Sequence, residues 1–355
     1  MKRKPEYFRG CLLGGALGDA LGWPVEFLQY NEIMDKYGPQ GIQDLVCTGP
    51  GLAQITDDTQ MTLFTAEGIL RAEAGRAQNV GCPEPGVDCQ TNAIVFHAYQ
   101  RWLLTQGYPA NPRIKDVYDG WLLGVKALYD RRGPGNTCLS ALSSGKQGTI
   151  REPINDSKGC GGVMRVAPVG LFYPKERAFD KAAEFAAITH GHPSGYLSAG
   201  ALAYLIAALI EGQELETAIQ NTQRELATHK HHEECTRSMQ QALELARSNL
   251  PDEQAIRQLG EGWVGEEALG IAVYCALKHQ RDFRRALITA VNHDGDSDST
   301  GAITGNILGA CLGLDQLPAD WLEKLEFSEV LVQLAGDLLT GYQDSQEWRE
   351  RYPGH

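Results

Sequence analysis

The chain has 355 residues, 45 of them acidic and 32 basic, for a formal net charge of −13, with 43% hydrophobic and 22% charged residues. That balance supplies enough apolar material for a sizeable core and excludes wholesale disorder, while the acidic surface repels nucleic acid and anionic membranes, so neither is an expected partner. The nine cysteines (Cys11, Cys47, Cys82, Cys89, Cys138, Cys160, Cys235, Cys275 and Cys311) form no CxxC pair, which argues against a zinc ribbon and fits reduced thiols in a cytoplasmic protein.

The first segment, MKRKPEYFRGCLLGGALGDALG, begins basic and turns apolar like a secretory signal, but Asp19 and the glycines interrupt the apolar run. Gly10, Gly14, Gly18 and Gly22 stand four apart, and Gly301, Gly305, Gly309 and Gly313 repeat the pattern near the other end. Each set predicts a glycine ridge along one helix face. Interior glycine costs a helix roughly 0.5–1 kcal/mol per residue relative to alanine, so close approach by another backbone is the expected compensation. Asp19 is expected to bond a helix end.

Thr56 stands where a helix should begin, as its N-cap, which puts Asp57 and Asp58 in the first turn. Residues 79–90 and 131–162 read as long irregular segments, and loops of that length are commonly functional. The second ends in a glycine cluster suited to a helix start near Val163, and it is expected to line the active site. Apolar residues at helical spacing over 182–188, 197–210, 268–277 and 283–291 predict an all-α protein, with no linker dividing it. The longest apolar run, 197–210, falls short of the roughly 18–20 residues a membrane span needs and reads as a core helix. His229, His231 and His232 in THKHHEEC are expected on an exposed, charged helix, and the polar tail over 343–355 is expected to fray.

The acidic clusters carry the chemistry. Thr56-Asp57-Asp58-Thr59 and Asp296-Ser297-Asp298-Ser299-Thr300 pair carboxylates with hydroxyls and contain no Cys or His, the donor set preferred by hard divalent cations. An EF-hand loop starting at Asp294 fails, because Ser299 replaces its central glycine and Gly305 its final glutamate. The DDxxD motif of isoprenoid synthases fails too, since Met61 stands where the third acid belongs.

Five motifs in order, GCLLGGALGDALGWPVEF, ITDDTQMTLFTAEGIL, KGCGGVMRVAPVGL, ITHGHPSGYLSAGALAYLI and NHDGDSDSTGAITGNILGACLG, resemble those of the ADP-ribosylglycohydrolases and cover residues 10–314. The resemblance implies one compact, all-α, orthogonal multi-helix bundle over residues 1–355. It implies two metal ions, Mg2+ with Mn2+ as the alternative, held by Thr56, Asp57, Asp58, Asp296, Asp298 and Ser299. Asp294 is expected outside the ligand set. Glu26 matches a glutamate on a loop above the metals and is the first candidate for the catalytic acid, with Asp57 or Asp58 as the second. Gly159, Cys160, Gly161 and Gly162 are expected to face phosphates, with Lys158 and Arg165 adding positive charge or Arg165 serving as a buried structural partner. His190 matches a position at the nucleotide end of the ligand. The implied function is metal-dependent cleavage of the glycosidic bond between ADP-ribose and a modified protein side chain, with arginine linkage preferred. The alternatives are a hydrolase of serine-linked or free ADP-ribose derivatives, a dinuclear phosphohydrolase, and a non-enzymatic ADP-ribose-binding relative.

Overall fold

A computed structural model describes residues 1–49, 51–78, 90–115 and 117–355; apart from Gln90, the irregular segment expected over 79–90, with Cys82 and Cys89, lies outside these. Among the described residues the chain is all-α, as its periodicity predicts. The helices are α1 (Pro5–Gly22), α2 (Tyr30–Tyr37), α3 (Asp57–Ala77), α4 (Thr91–Thr105), α5 (Asn136–Ser143), α6 (Ala167–Phe172), α7 (Lys175–Ala187), α8 (Pro193–Ile210) and α9 (Leu215–Leu226). They continue with α10 (Glu233–Ala246), α11 (Asp252–Leu259), α12 (Gly265–Lys278), α13 (Phe283–Val291), α14 (Ser297–Leu312), α15 (Ala319–Leu322), α16 (Ser328–Thr340) and α17 (Gln346–Arg351). One small hairpin, pairing Cys47–Thr48 with Leu52–Ala53, is the only sheet among the described residues.

Helices α1 and α14 run antiparallel with their backbones in contact along the two glycine ridges. A methyl group on Gly10 would lie 2.5 Å from the Gly309 carbonyl oxygen, and one on Gly14 would lie 2.5 Å from that of Gly305. Gly18 and Gly22 press in the same way on Gly301 and Ser297. Gly313 closes the seam, its carbonyl carbon lying 2.9 Å from a methyl placed on Gly10, and it ends α14 with φ of 84°, a left-handed conformation that favours glycine. The Asn306 amide locks the register by donating to the Cys11 carbonyl at 2.9 Å.

The core helix α8 starts with Pro193 in its first turn and the His192 ring accepting the Ser194 N–H at 3.1 Å. At 18 residues it is longer than the expected run and apolar enough to cross a membrane, but 83% of it is buried beneath α7, α12 and α14.

Four expectations need correction. Residues 131–162 are not continuously irregular, because Asn136–Ser143 forms α5. Near Val163 the chain makes a short 3-10 turn at Cys160–Gly162, and α6 begins only at Ala167. The histidine-rich stretch is the turn joining α9 to α10, and His229 stacks on Phe179 with ring centroids 4.0 Å apart. The tail does not fray: Ser345 caps α17, Trp348 and Tyr352 are buried, and the Tyr352 hydroxyl donates to Asp337 at 2.5 Å. Two aromatic anchors in a polar segment outweigh its composition.

The seam predicts opposite outcomes for the same substitution at two helical glycines. Gly305→Ala forces backbone apart and should destabilise by roughly 2–4 kcal/mol. Gly336→Ala on α16, where an added methyl meets nothing within 4 Å, should be neutral or stabilising by about 0.5–1 kcal/mol. Urea unfolding of the two variants checks this, and equal stabilities would remove the backbone-contact account.

Candidate metal centre and active site

Asp19 joins the first acidic cluster to α1. Fully buried in the last turn of that helix, its carboxylate accepts the Thr56 N–H at 2.9 Å, the Thr59 N–H at 3.1 Å and the Thr59 hydroxyl. It therefore bonds a helix end, the start of α3. Thr56 Oγ1 caps that helix by accepting the Asp58 N–H at 3.2 Å, which fixes Asp57 and Asp58 in the first turn. The second cluster opens α14 in the same fashion. Asp296 caps the helix through the Ser299 N–H at 3.3 Å, and Asp298 Oδ1 accepts that same N–H at 2.8 Å. Because Gly18 and Gly22 rest on Gly301 and Ser297, the glycine seam delivers the first turn of α14 to the end of α1, beside the first turn of α3. Two positive helix ends thus meet where the acids collect.

Between them lies a cleft of about 370 Å3 whose lining includes Glu26, Asp57, Asp58, Asp296, Asp298 and Ser299. One wall is the loop and helix start from Gly133 to Cys138, with the Gly135 N–H donating to Asp57 Oδ2 at 3.2 Å. Gly159, Cys160, Gly161 and His190 form another. Phe27 and Trp263 stand at the rim, stacked with centroids 5.3 Å apart, and Phe27 is 71% exposed with φ of 68°.

The acids repel one another strongly. Burial pushes the Glu26 carboxyl up to about 10, helped by the charges of Asp298, Asp296, Asp57 and Asp19. Burial and Asp298 raise Asp19 to about 7. Asp57, Asp58 and Asp296 are also held well above the usual carboxylate range, by burial first and Asp298 second. Carboxylate oxygens of Glu26, Asp296 and Asp298 lie within 4.8 Å of one another, and Asp58 Oδ2 is buried with no hydrogen-bond partner among the described residues. An orphaned carboxylate oxygen in an all-oxygen cluster is what a bound hard cation would satisfy, so these residues fit a divalent metal.

Other positions differ from their expected places. Thr56 does not line the cleft, its hydroxyl being engaged in the cap. Gly162 faces Gly195 and Ala186, away from the cavity. Cys160 turns its thiol to Asp296 Oδ2 at 2.6 Å and lies 3.6 Å from Ser299 Oγ. Lys158 pairs with Glu234 and Glu266 rather than adding charge to the cavity, and Arg165 is fully buried behind it. Asp294, by contrast, keeps the structural role expected of it, accepting the Tyr30 N–H at 2.6 Å and so anchoring α2. Asn136 and Thr137 line the cleft from the 131–162 segment expected there, whereas sequence reasoning did not single out Phe27 or Trp263, which also line it. The adjacent signals were Glu26 beside Phe27 and the glycines Gly262 and Gly265 around Trp263.

An all-helical frame that gathers buried carboxylates from two helix starts into one cleft defines the class: a helical protein with a candidate hard-cation site. The ADP-ribosylglycohydrolase family model matches residues 2–348, and the chain belongs to that family, an enzyme class of ADP-ribosyl hydrolases. It is similar to ADP-ribosylhydrolase ARH3 of Mus musculus, at 24% identity over 95% of this chain and 92% of the relative. It is also similar to ADP-ribosylarginine hydrolase Tri1 of Serratia proteamaculans, at 27% identity over 93% of this chain and 78% of the relative. Among solved structures, an ADP-ribosylglycohydrolase-related protein complex shares the fold with a TM-score of 0.68 and 24% identity, covering 96% of this chain and 98% of that one.

The crowding predicts a pH signature in metal-free protein. Carboxyls with raised folded-state values hold protons more tightly folded than unfolded, so their contribution to stability is present below about pH 4 and falls as pH rises towards the raised values. Asp298→Asn removes a charge that raises Glu26, Asp19, Asp57, Asp58 and Asp296. With chelator present, it should stabilise the protein at pH 8 by roughly 1–3 kcal/mol, and the gain should shrink towards pH 4. Calorimetric melting across that range checks it; a gain independent of pH would contradict charge repulsion as the cause.

Proposed function

We propose that this enzyme removes ADP-ribose from arginine side chains of modified proteins, using two divalent cations, Mg2+ or Mn2+, held by Asp57, Asp58, Asp296, Asp298 and the Ser299 hydroxyl, with Thr56 capping the helix that carries the first pair. The observation that carries the reading is the convergence of the two acidic clusters, with Asp58 Oδ2 left without a partner inside them. The arginine linkage is favoured by the named activity of the Serratia relative. Bound cations would hold ribose hydroxyls and make water more acidic.

The chain's own residues supply the rest. Hydrolysis breaks the bond between the anomeric carbon of ribose and the side-chain nitrogen; water gives its hydroxyl to the carbon, and a proton goes to the departing nitrogen. Glu26 is the group for that proton. It is partly exposed at the cleft mouth, and its neighbours make its carboxyl a ready proton holder. Asp57 is steadied by the Gly135 N–H. The first turn of α5, from Asn136 to Cys138, turns main-chain N–H groups to the diphosphate, and the Gly159–Cys160–Gly161 edge lets the anion approach because its glycines carry no side chain; the Gly159 and Cys160 N–H groups are themselves engaged by Ser157 and the Trp263 carbonyl.

A panel of proteins modified on arginine or serine, assayed with and without chelator, tests the reading. Release of ADP-ribose from the arginine conjugate, abolished by chelator and restored by Mg2+, is expected. Release from serine conjugates alone would overturn the linkage. Glu26→Gln should lower kcat by about 100-fold or more, while titration calorimetry should still find two Mg2+ sites; loss of metal binding instead would move Glu26 from proton transfer to the metal shell.

A further inference from the structure

Arg165 is fully buried and forms no ion pair with a carboxylate among the described residues. Its guanidinium lies over the Tyr99 ring at 4.3 Å, meets the Cys138 sulfur at 3.4 Å, and donates to the Phe185 carbonyl at 3.3 Å and to Thr189 Oγ1 at 2.7 Å. Its Nε has no hydrogen-bond partner among the described residues. A buried cation without a counter-ion is costly, and it sits directly behind the cleft wall.

Thr189 passes the effect on. Its oxygen accepts from Arg165, so its single proton must go elsewhere, to the Ala186 carbonyl at 3.4 Å, the Cys138 sulfur, or His190 Nδ1 at 2.8 Å. The Nδ1 contact has ordinary hydrogen-bond length, the carbonyl contact is at the limit and a thiol sulfur is a weak acceptor, so the hydroxyl donates to Nδ1. An imidazole that accepts at Nδ1 carries its proton on Nε2. Burial and the Arg165 charge keep the ring neutral, with its pKa lowered to about 3. The ring lines the cleft, and a methyl on Gly161 would lie 3.3 Å from Nε2.

We propose that Arg165 and Thr189 are positioning residues that fix His190 as the neutral Nε2–H tautomer, a hydrogen-bond donor aimed at an acceptor oxygen of the ligand. The tautomer stands on the protein alone; only the identity of the ligand, the ADP-ribosyl group, rests on the function proposed above.

Long-range proton–nitrogen NMR of 15N-histidine-labelled protein tests it, with His190→Gln identifying the His190 signals. The parent should show protonated Nε2 and bare Nδ1 for His190, without ligand. Thr189→Ser should preserve that signature, whereas Thr189→Val should mix or reverse the tautomers and weaken ADP-ribose binding by about tenfold, the loss of roughly one hydrogen bond. In turnover the same variant should raise KM with a smaller effect on kcat. A parent spectrum with protonated Nδ1 overturns the inference, as does a folded Thr189→Val protein with parental tautomer and affinity. If Thr189→Val does not fold, the parent spectrum decides. An Nε2–H parent that binds no ADP-ribose overturns the proposed function and leaves the tautomer assignment standing.

Discussion

The backbone contact between α1 and α14 is the constraint on which the site depends. Each helix alone carries only part of the candidate site: Asp19 and the Glu26 loop at the end of one, the Asp296–Asp298 turn at the start of the other. With Gly10 against Gly309 and Gly14 against Gly305, no side chain separates the two backbones. The relation between the two ends is therefore set by main-chain atoms. Asp19 extends the arrangement to a third helix by bonding the first turn of α3, so one buried carboxylate carries the register of the seam into the other half of the acidic cluster.

This architecture works against itself electrostatically. Buried acids concentrated at one point repel each other and lose hydration, and the raised proton affinities of Glu26, Asp57, Asp58 and Asp296 express that tension. The helix starts of α3 and α14 offset it in part by turning backbone N–H groups towards the carboxylates. The rest remains as an appetite for cations and protons, which a hydrolase of a charged nucleotide conjugate can use. The close-packed seam resists the expansion that would relieve the crowding.

Much of this was legible because the relevant chemistry is local. Thr56 before Asp57-Asp58 is a helix cap in any context, and glycines four apart lie on one helix face whatever that face meets. Gly313 does two jobs, meeting Gly10 along the ridge and ending its helix, and the second is set by backbone conformation rather than spacing. Gly159 and Gly161 reach the cleft whereas Gly162 turns towards Gly195, since direction within a tight 3-10 turn is invisible to composition. Trp263 and Phe27 escaped notice because their partnership joins residues remote in sequence, and an isolated aromatic reads as core. The tail misled for the same reason: its polarity is real, yet Tyr352 finds Asp337 and Trp348 finds the core.

Helix α8 has a consequence for how the chain comes into being. It packs against α7, which is synthesised just before it, but also against α12 and α14, which are made much later. On a chain growing from its N-terminus, part of this apolar cylinder stays uncovered until the ribosome has delivered the last acidic cluster. Completing the core and completing the acidic centre are thus the same late event in biosynthesis, and until then α8 is a sticky surface for chaperones to shield.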